Sequence, residues 1–246
     1  MFLVAGFKQA MKVLAIDSSG ITASAAMADD NNIIAEFTVN NRQTHSQTLL
    51  PMVDKVVQMS EIPLTDIDAI AVAAGPGSFT GLRIGSATAK GLGLALGKPV
   101  VPVPSLDGLA YRAACYSGII CPLMDARRNQ VYTAAYHIED GRLVNIIEQK
   151  AEGIREILSE LKATGEDVLF LGDGADVYKD VIMEETEGRF SFAPAHISKQ
   201  SAASVAMLGI IYYNEGRYES AAAHRPFYLR KPQAEREREE RLKQKG

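Results

Sequence analysis

This chain of 246 residues has few cysteines, no strong excess of either sign of charge, and no long apolar runs. Its two cysteines, Cys115 and Cys121, are too few and too close in sequence to indicate a disulfide framework. A reducing compartment, the cytoplasm, is therefore the expected location. No apolar run reaches the ~20 residues of a membrane span, so we expect no membrane contact.

The apolar first ten residues have neither the charged start nor the length of a signal peptide. Because Met11 followed by Lys12 looks like a more natural start, residues 1–10 are expected to be disordered or artefactual. A net charge of −4 argues against a broad nucleic-acid footprint, although a local basic patch stays open. The length suits one large domain or two small ones.

Recognisable catalytic and ligand motifs are also missing. There is no Walker A sequence, no G-x-G-x-x-G, and no nucleophile elbow of the G-x-S-x-G type. His45 has Leu49 four residues later, where a paired metal ligand would need a second histidine. The other histidines are scattered, so the sequence predicts no metal, no cofactor and no catalytic residue.

The most informative stretch is the run from Gly75 to Gly85, which follows a short apolar strand and opens a helix. This order aims backbone N–H groups at an anion, so the run is either a phosphate cradle or a tight turn for close packing. Ser78 or Thr80 could cap the helix. Glycines inside the helix cost about 1 kcal/mol each, which favours close packing as their purpose.

The two halves of the chain share one order of predicted elements. Each half has a three-stranded meander, a helix, a strand, a glycine turn and a second helix, which indicates a duplication. The fold class predicted is α/β, an actin-like ATPase (ribonuclease H-like) fold of two tandem β-β-β-α-β-α lobes. We assign residues 11–104 to an N-terminal lobe, 105–230 to a C-terminal lobe and 231–246 to a charged tail.

In such a fold, turn aspartates and glycines contact phosphates, although both residue types favour turns without any ligand. The two interpretations stay open. The candidate positions, interpreted as a vestigial phosphate loop, are Asp17, Gly75, Gly77, Ser78, Asp125, Gly172 and Gly174.

The segment from Leu49 to Met59 is apolar around about half of its helical circumference. A surface helix needs only a ~100° stripe to face its own core. The surplus predicts contact with a second body, and deep burial within one domain is the alternative. Pro51 predicts a helix that starts late or is kinked there.

Several motifs together resemble the bacterial TsaB (YeaZ) family and its paralogue TsaD. They are Val13–Ser19, Thr44-His45-Ser46 before Leu49-Leu50-Pro51, the run Gly75–Gly85, Asp125-Ala126-Arg127, and Pro226-x-Tyr228-Leu229-Arg230. The resemblance implies an actin-like fold and a role in making threonylcarbamoyladenosine in tRNA. It also implies that TsaD carries the metal and the catalysis, while this chain is a non-catalytic scaffold.

The resemblance implies partners as well: a TsaD-like catalytic subunit, a TsaE-like ATPase, a second copy of the chain when it is alone, and tRNA only through the complex. The dimer interface is expected on the two N-lobe helices. Its predicted residues are Leu49, Leu50, Val53, Val56, Val57, Leu82, Ile84, Gly85, Thr88 and Leu92.

The alternative function is a free-standing small-molecule kinase or ATP-binding enzyme that uses Asp17 as its base or metal anchor. A peptidase has no visible nucleophile–base pair to support it.

Overall fold

The computed structural model describes residues 10–41, 44–186 and 188–230. Its strands are β1 Lys12–Asp17, β2 Ala23–Asp29, β3 Ile33–Val39, β4 Ala69–Gly75, β5 Val100–Pro104, β6 Ile119–Asp125, β7 Gln130–Glu139, β8 Arg142–Gly153, β9 Val168–Leu171 and β10 Phe190–Phe192. Its helices are α1 His45–Ser60, α2 Phe79–Leu96, α3 Ser105–Tyr111, α4 Ile154–Thr164, α5 Asp173–Val177, α6 Lys179–Glu185 and α7 Ala202–Asn214. None of the helices in this described part is long and apolar enough to cross a membrane.

Two five-stranded sheets confirm the duplicated plan. Their orders are β3-β2-β1-β4-β5 and β10-β9-β6-β7-β8. In each sheet the first three strands form an antiparallel meander, and a later strand pairs in parallel with the first strand of that meander. The fold is therefore the predicted actin-like α/β architecture with two tandem lobes.

Strand composition follows from position in the sheet. Strand β4 lies between β1 and β5 and is buried along its whole length, which is why it reads as a continuous run of small apolar residues. Strand β3 is the edge of its sheet, and its large residues stay partly exposed, as Phe37 does at 42%. Helices α1 and α2 cover one face of this sheet, and their apolar residues join the core there.

The other face of the first sheet is covered by α7, which lies far away in sequence. Val205 and Ala206 of this helix pack against Val13, Ala71 and Val103 in one buried cluster. A boundary at residue 105 therefore does not assign every element to the sheet on which it packs, because α7 covers the first sheet although it follows the second sheet in sequence. Helix α3 contacts β4 and β5 as well as β6, β7 and β8, and so bridges the two halves.

Several local expectations need correction. Helix α1 begins at His45 rather than late, and Pro51 lies inside it. The second helix expected after the glycine turn of the C-terminal half is two short helices, α5 and α6. Strands β5 and β10 and helix α3 had no counterpart in the element pattern. The expected tail over 231–246 lies outside the described residues, as does all of the expected N-terminal extension except residue 10.

Candidate functional site: the cleft between the lobes

A cleft of about 570 Å³ lies where the two lobes meet. Elements from both halves of the chain build it: the turns after β1 and β4, the turn after β6, helix α5 and the segment that follows α7. Its lining residues are Ser19, Gly20, Ile21, Asn41, His45, Pro76, Gly77, Ser78, Phe79, Met124, Asp125, Ala126, Arg127, Tyr132, Asp173, Val177, Tyr228, Leu229 and Arg230.

The Gly75–Gly85 run forms the N-lobe wall of this cleft and is tied down by its own hydrogen bonds. The Ser78 N–H donates to the Ser19 carbonyl at 2.7 Å, and the Gly75 N–H donates to Ser105 Oγ at 3.1 Å. As expected, Ser78 caps α2, because its Oγ accepts the Gly81 N–H. These donors are therefore spent within the protein rather than directed at a ligand.

The glycines of the run allow two backbones to touch. A Cβ at Gly81 would collide with the carbonyl oxygen of Ser18, and one at Gly77 would collide with that of Ser19. At Gly75 the backbone has a φ of 121°, and a Cβ would meet the Phe227 carbonyl. The geometry thus favours the close-packing interpretation of this run over the phosphate cradle.

Asp17 ends β1 but does not line the cleft. Its side chain is 1% exposed, and its Oδ1 accepts hydrogen bonds from the Ser19 N–H at 2.8 Å and the Ser19 hydroxyl at 2.7 Å. Burial raises the pKa of Asp17 to about 6, because desolvation outweighs these hydrogen bonds. Asp17 therefore closes the β1 turn, and it lacks the access that a kinase base needs.

On the C-lobe side, Asp125 and Asp173 do reach the cleft. Asp125 Oδ1 accepts the Arg127 N–H at 2.8 Å. Burial, with a contribution from nearby Asp125, raises the pKa of Asp173, and its Oδ1 has no partner in the described part of the chain. Gly172 and Gly174 pack their backbones against Leu123 instead of opening toward the cleft. Arg127 and Arg230 line the same part of the cleft, and Arg127 lies 3.5 Å from Asp125, so the charges of this wall are mixed.

A metal in this cleft would need His45 as its first ligand. The Nε2 of His45 lies 2.8 Å from the Gly20 carbonyl oxygen, so the ring is held by backbone. Leu49, one turn later, is 1% exposed and belongs to the core. Within residues 10–41, 44–186 and 188–230, no group of three or more His, Cys, Asp or Glu side chains is placed to hold a metal ion. His45 and Leu49 therefore do not fit a two-histidine metal site.

The predicted interface residues divide into a buried set and a more accessible set. Leu49, Val53, Val56, Leu82 and Gly85 are buried in the first lobe. Their burial corrects the prediction, because a side chain about 1–2% exposed offers a partner no surface. The close approach expected at Gly85 also occurs within the chain, against the Ser18 hydroxyl.

The accessible set lies on α1 and α2. Leu50 is 57% exposed, and the remaining residues are partly exposed. The broad apolar surface of α1 is thus mostly core, and a narrower flank is left for another protein. The partly exposed residues are Val57, Ile84, Thr88 and Leu92.

Sequence reasoning did not place the segment after α7 in the site. Tyr228, Leu229 and Arg230 line the cleft, and the Arg230 guanidinium donates to the Ala126 carbonyl at 3.0 Å, which ties this segment to the turn after β6. The Tyr228 ring lies 5.0 Å from that of Phe79 at the start of α2. The Pro226-x-Tyr228-Leu229-Arg230 motif marks this segment in the sequence, but no local pattern indicates that it reaches the cleft.

Comparison with known proteins first identifies the class of protein to which the chain belongs. Residues 32–238 match the family model described as TsaD, tRNA N6-adenosine threonylcarbamoyltransferase. This match spans most of the chain, so the protein is a member of that superfamily of actin-like proteins.

The comparisons also give the particular branch. The chain is 34% identical over 229 residues to the tRNA threonylcarbamoyladenosine biosynthesis protein TsaB of Bacillus subtilis, covering 92% of this chain and 96% of that one. It is 30% identical to TsaB of Escherichia coli over 89% of this chain and 95% of that one. The chain belongs to the TsaB family.

Solved structures agree with this placement. The YeaZ structure from Pseudomonas aeruginosa has a TM-score of 0.74 at 26% identity, and it matches 89% of this chain and 100% of its own. Another Pseudomonas aeruginosa structure, of an uncharacterized protein with similarity to peptidase YeaZ, has a TM-score of 0.78 at 27% identity and the same coverage. Both support the two-lobed fold described above.

Proposed function

We propose that this chain is a non-catalytic subunit of a tRNA threonylcarbamoyladenosine-forming complex and that it supports a TsaD-like transferase. The observation that carries the proposal is the packing of Leu49. A buried leucine, Leu49, stands one turn after His45, where a two-histidine metal site would need its second histidine. A first ligand without its partner does not hold the metal that positions an acyl donor.

The cleft supports the same proposal from the ligand side. The N–H groups of Gly75, Ser78 and Gly81 are bonded internally, and Asp17 is buried against Ser19. A nucleotide-dependent kinase needs an exposed base and donors directed at phosphate. The kinase alternative therefore has no geometric support at Asp17.

Docking is proposed on the accessible flank of α1 and α2. Leu50 and Val57 lie seven residues apart on α1, which places them on one side of the helix about two turns apart. Ile84, Thr88 and Leu92 are similarly aligned on α2, which contacts α1. We propose that this flank receives the TsaD-like subunit, or a second copy of the chain when that subunit is absent. A TsaE-like ATPase joins the pair, tRNA is reached through the complex, and the assembly works in the cytoplasm.

The test is Leu50→Glu, which puts a carboxylate into the docking flank. Leucine and glutamate have similar helix propensities, and the Leu50 side chain is 57% exposed, so the fold should survive. Burying an apolar side chain is worth about 1.5–3 kcal/mol, so binding of the TsaD-like subunit should weaken at least about tenfold. Titration calorimetry measures the affinity, and mass spectrometry of tRNA nucleosides measures the modification.

The matched control is Leu94→Glu. Leu94 is 58% exposed and lies on α2, but it projects on the side of Arg83 and Lys90, away from Thr88. This variant should bind and support modification like the unmodified chain. If Leu50→Glu binds the transferase with unchanged affinity, the docking flank is misplaced. If the chain modifies tRNA with no transferase present, it is not a scaffold.

A further inference from the structure

A second cavity, of about 420 Å³, lies beside α2 and shares only Tyr228 with the lining of the interlobe cleft given above. Three of its residues are cations, and none is a carboxylate, although the whole chain carries a net charge of −4. Its lining residues are Arg83, Ser86, Ala87, Lys90, His224, Arg225, Pro226 and Tyr228.

The inner wall of this cavity is a buried hydrogen-bonded array. The His224 side chain is fully buried, and its Nδ1 lies 2.8 Å from Glu219 Oε1. Its Nε2 lies 3.0 Å from Ser86 Oγ, and Ser86 is only 6% exposed. Glu219 holds the ring from behind and does not line the cavity. The array thus fixes one hydroxyl and one imidazole at a cavity whose charged lining groups are all cations.

The three cations are positioned but not neutralised. Lys90 Nζ donates to the Ala222 carbonyl at 2.7 Å, and Arg225 Nη1 donates to the same carbonyl at 3.1 Å. The Arg83 guanidinium lies 3.9 Å from the centre of the Phe79 ring. In the described part of the chain, none of the three forms an ion pair with a carboxylate. Lysine has three donors and arginine five, so each keeps donors for a ligand.

A serine, a histidine and a glutamate in a row also suggest nucleophilic catalysis, but the backbone argues against it. Ser86 lies in the middle of α2, where backbone N–H groups are used by carbonyls one turn earlier. No pair of free N–H groups is therefore beside Ser86 to stabilise an oxyanion. The array is better suited to recognising a ligand than to attacking one.

We propose that this cavity binds a phosphate group. Two guanidinium groups and an ammonium supply charge-assisted donors, the fork of an arginine matches phosphate oxygens, and no carboxylate in the lining opposes the anion. Both ring nitrogens of His224 are already bonded, so the inner wall adds the Ser86 hydroxyl, which His224 holds in place. The assignment depends on this local chemistry and stands independently of the proposed scaffold function.

The experiment titrates the full-length chain with inorganic phosphate at constant ionic strength, with chloride as the exchanged anion. The NMR signals of the His224 ring report on the cavity. We expect these signals to shift and to saturate as phosphate is added. The double variant Lys90→Ala/Arg225→Ala should lower the affinity for phosphate at least about tenfold, because hydrogen bonds to charged groups are worth about 1.5–3 kcal/mol each. Lys98→Ala is the control and should bind as before, since Lys98 lies just after α2 and does not line the cavity.

A second arm identifies the source of the phosphate. Binding of tRNA by the chain, and by its complex with the transferase, is measured against salt concentration. If an RNA phosphate occupies the cavity, the double variant should flatten the slope of log K against log salt by about 2. An unchanged slope together with lost phosphate binding identifies a small phosphorylated molecule instead. The proposal is overturned if the His224 signals do not saturate with phosphate, or if they respond equally in the folded double variant.

Discussion

Replacing Asp17 by asparagine should stabilise the protein at neutral pH. The pKa of Asp17 is raised from 3.8 to about 6 by burial. Between these values the unfolded chain loses its proton while the folded chain keeps it, so stability falls as the pH rises through this window. The difference of about two pKa units corresponds to ~3 kcal/mol lost by neutral pH. Asparagine has no charge to bury, and its Oδ1 can accept both Ser19 hydrogen bonds.

The assay is urea unfolding of both proteins at pH 4.5 and pH 7.5. At the lower pH, Asp17 has already lost about a third of this free energy, so the advantage of Asp17→Asn should grow by ~2 kcal/mol between the two conditions. Other buried acids, such as Asp107, titrate in both proteins and cancel in the difference. Asp54→Asn, at an exposed position on α1, is the control and should show no such growth.

An advantage of Asp17→Asn that does not change with pH would refute this reasoning. It would mean that Asp17 is ionised in the folded state at both pH values, held by charges such as Arg112 and His45 more strongly than burial opposes them. A large loss of stability at pH 7.5 would point the same way. Tight nucleotide binding that disappears in Asp17→Asn would restore the kinase alternative.

Two further predictions concern packing and a buried hydrogen bond. Gly81→Ala should lower the free energy of unfolding by about 1–3 kcal/mol, because its Cβ meets the Ser18 backbone. Gly91→Ala in the same helix should raise it by about 1 kcal/mol, because its Cβ enters open space. Equal effects in a denaturation experiment would contradict the packing described for the glycine run. Tyr212→Phe should cost about 1–3 kcal/mol, because Asp107 Oδ2 loses the hydroxyl that donates to it at 2.7 Å, and an unchanged unfolding midpoint would contradict the strength of that bond.

Most of the local structure was readable because each pattern depends on nearby residues. The continuous apolar run of β4 and the turn residues after it are properties of consecutive positions, and they predicted the strand and the Ser78 cap correctly. Pro51 predicted a late start or a kink, and the late start was wrong: α1 begins at His45, because the packing of Leu49 and Val53 outweighs the cost of the proline.

The candidate site was less predictable, because burial depends on elements that are distant in sequence. The apolar circumference of α1 was consistent with core or with interface, and only the sheet beneath it showed that Val53 and Val56 are core while Leu50 is not. The proposed phosphate cavity joins α2 to residues 224–228, and Ser86 and His224 are 138 positions apart in sequence, with no local signal that they meet.

The amino-acid sequence by itself determined most of the strands and helices, the duplicated order and the family, because these follow from periodicity and from motifs along the chain. Only the tertiary structure decided which apolar side chains remain accessible, that Asp17 closes a turn, and that α7 returns to the first sheet. These outcomes depend on desolvation and on contacts between distant segments, and neither is expressed in any local run of residues.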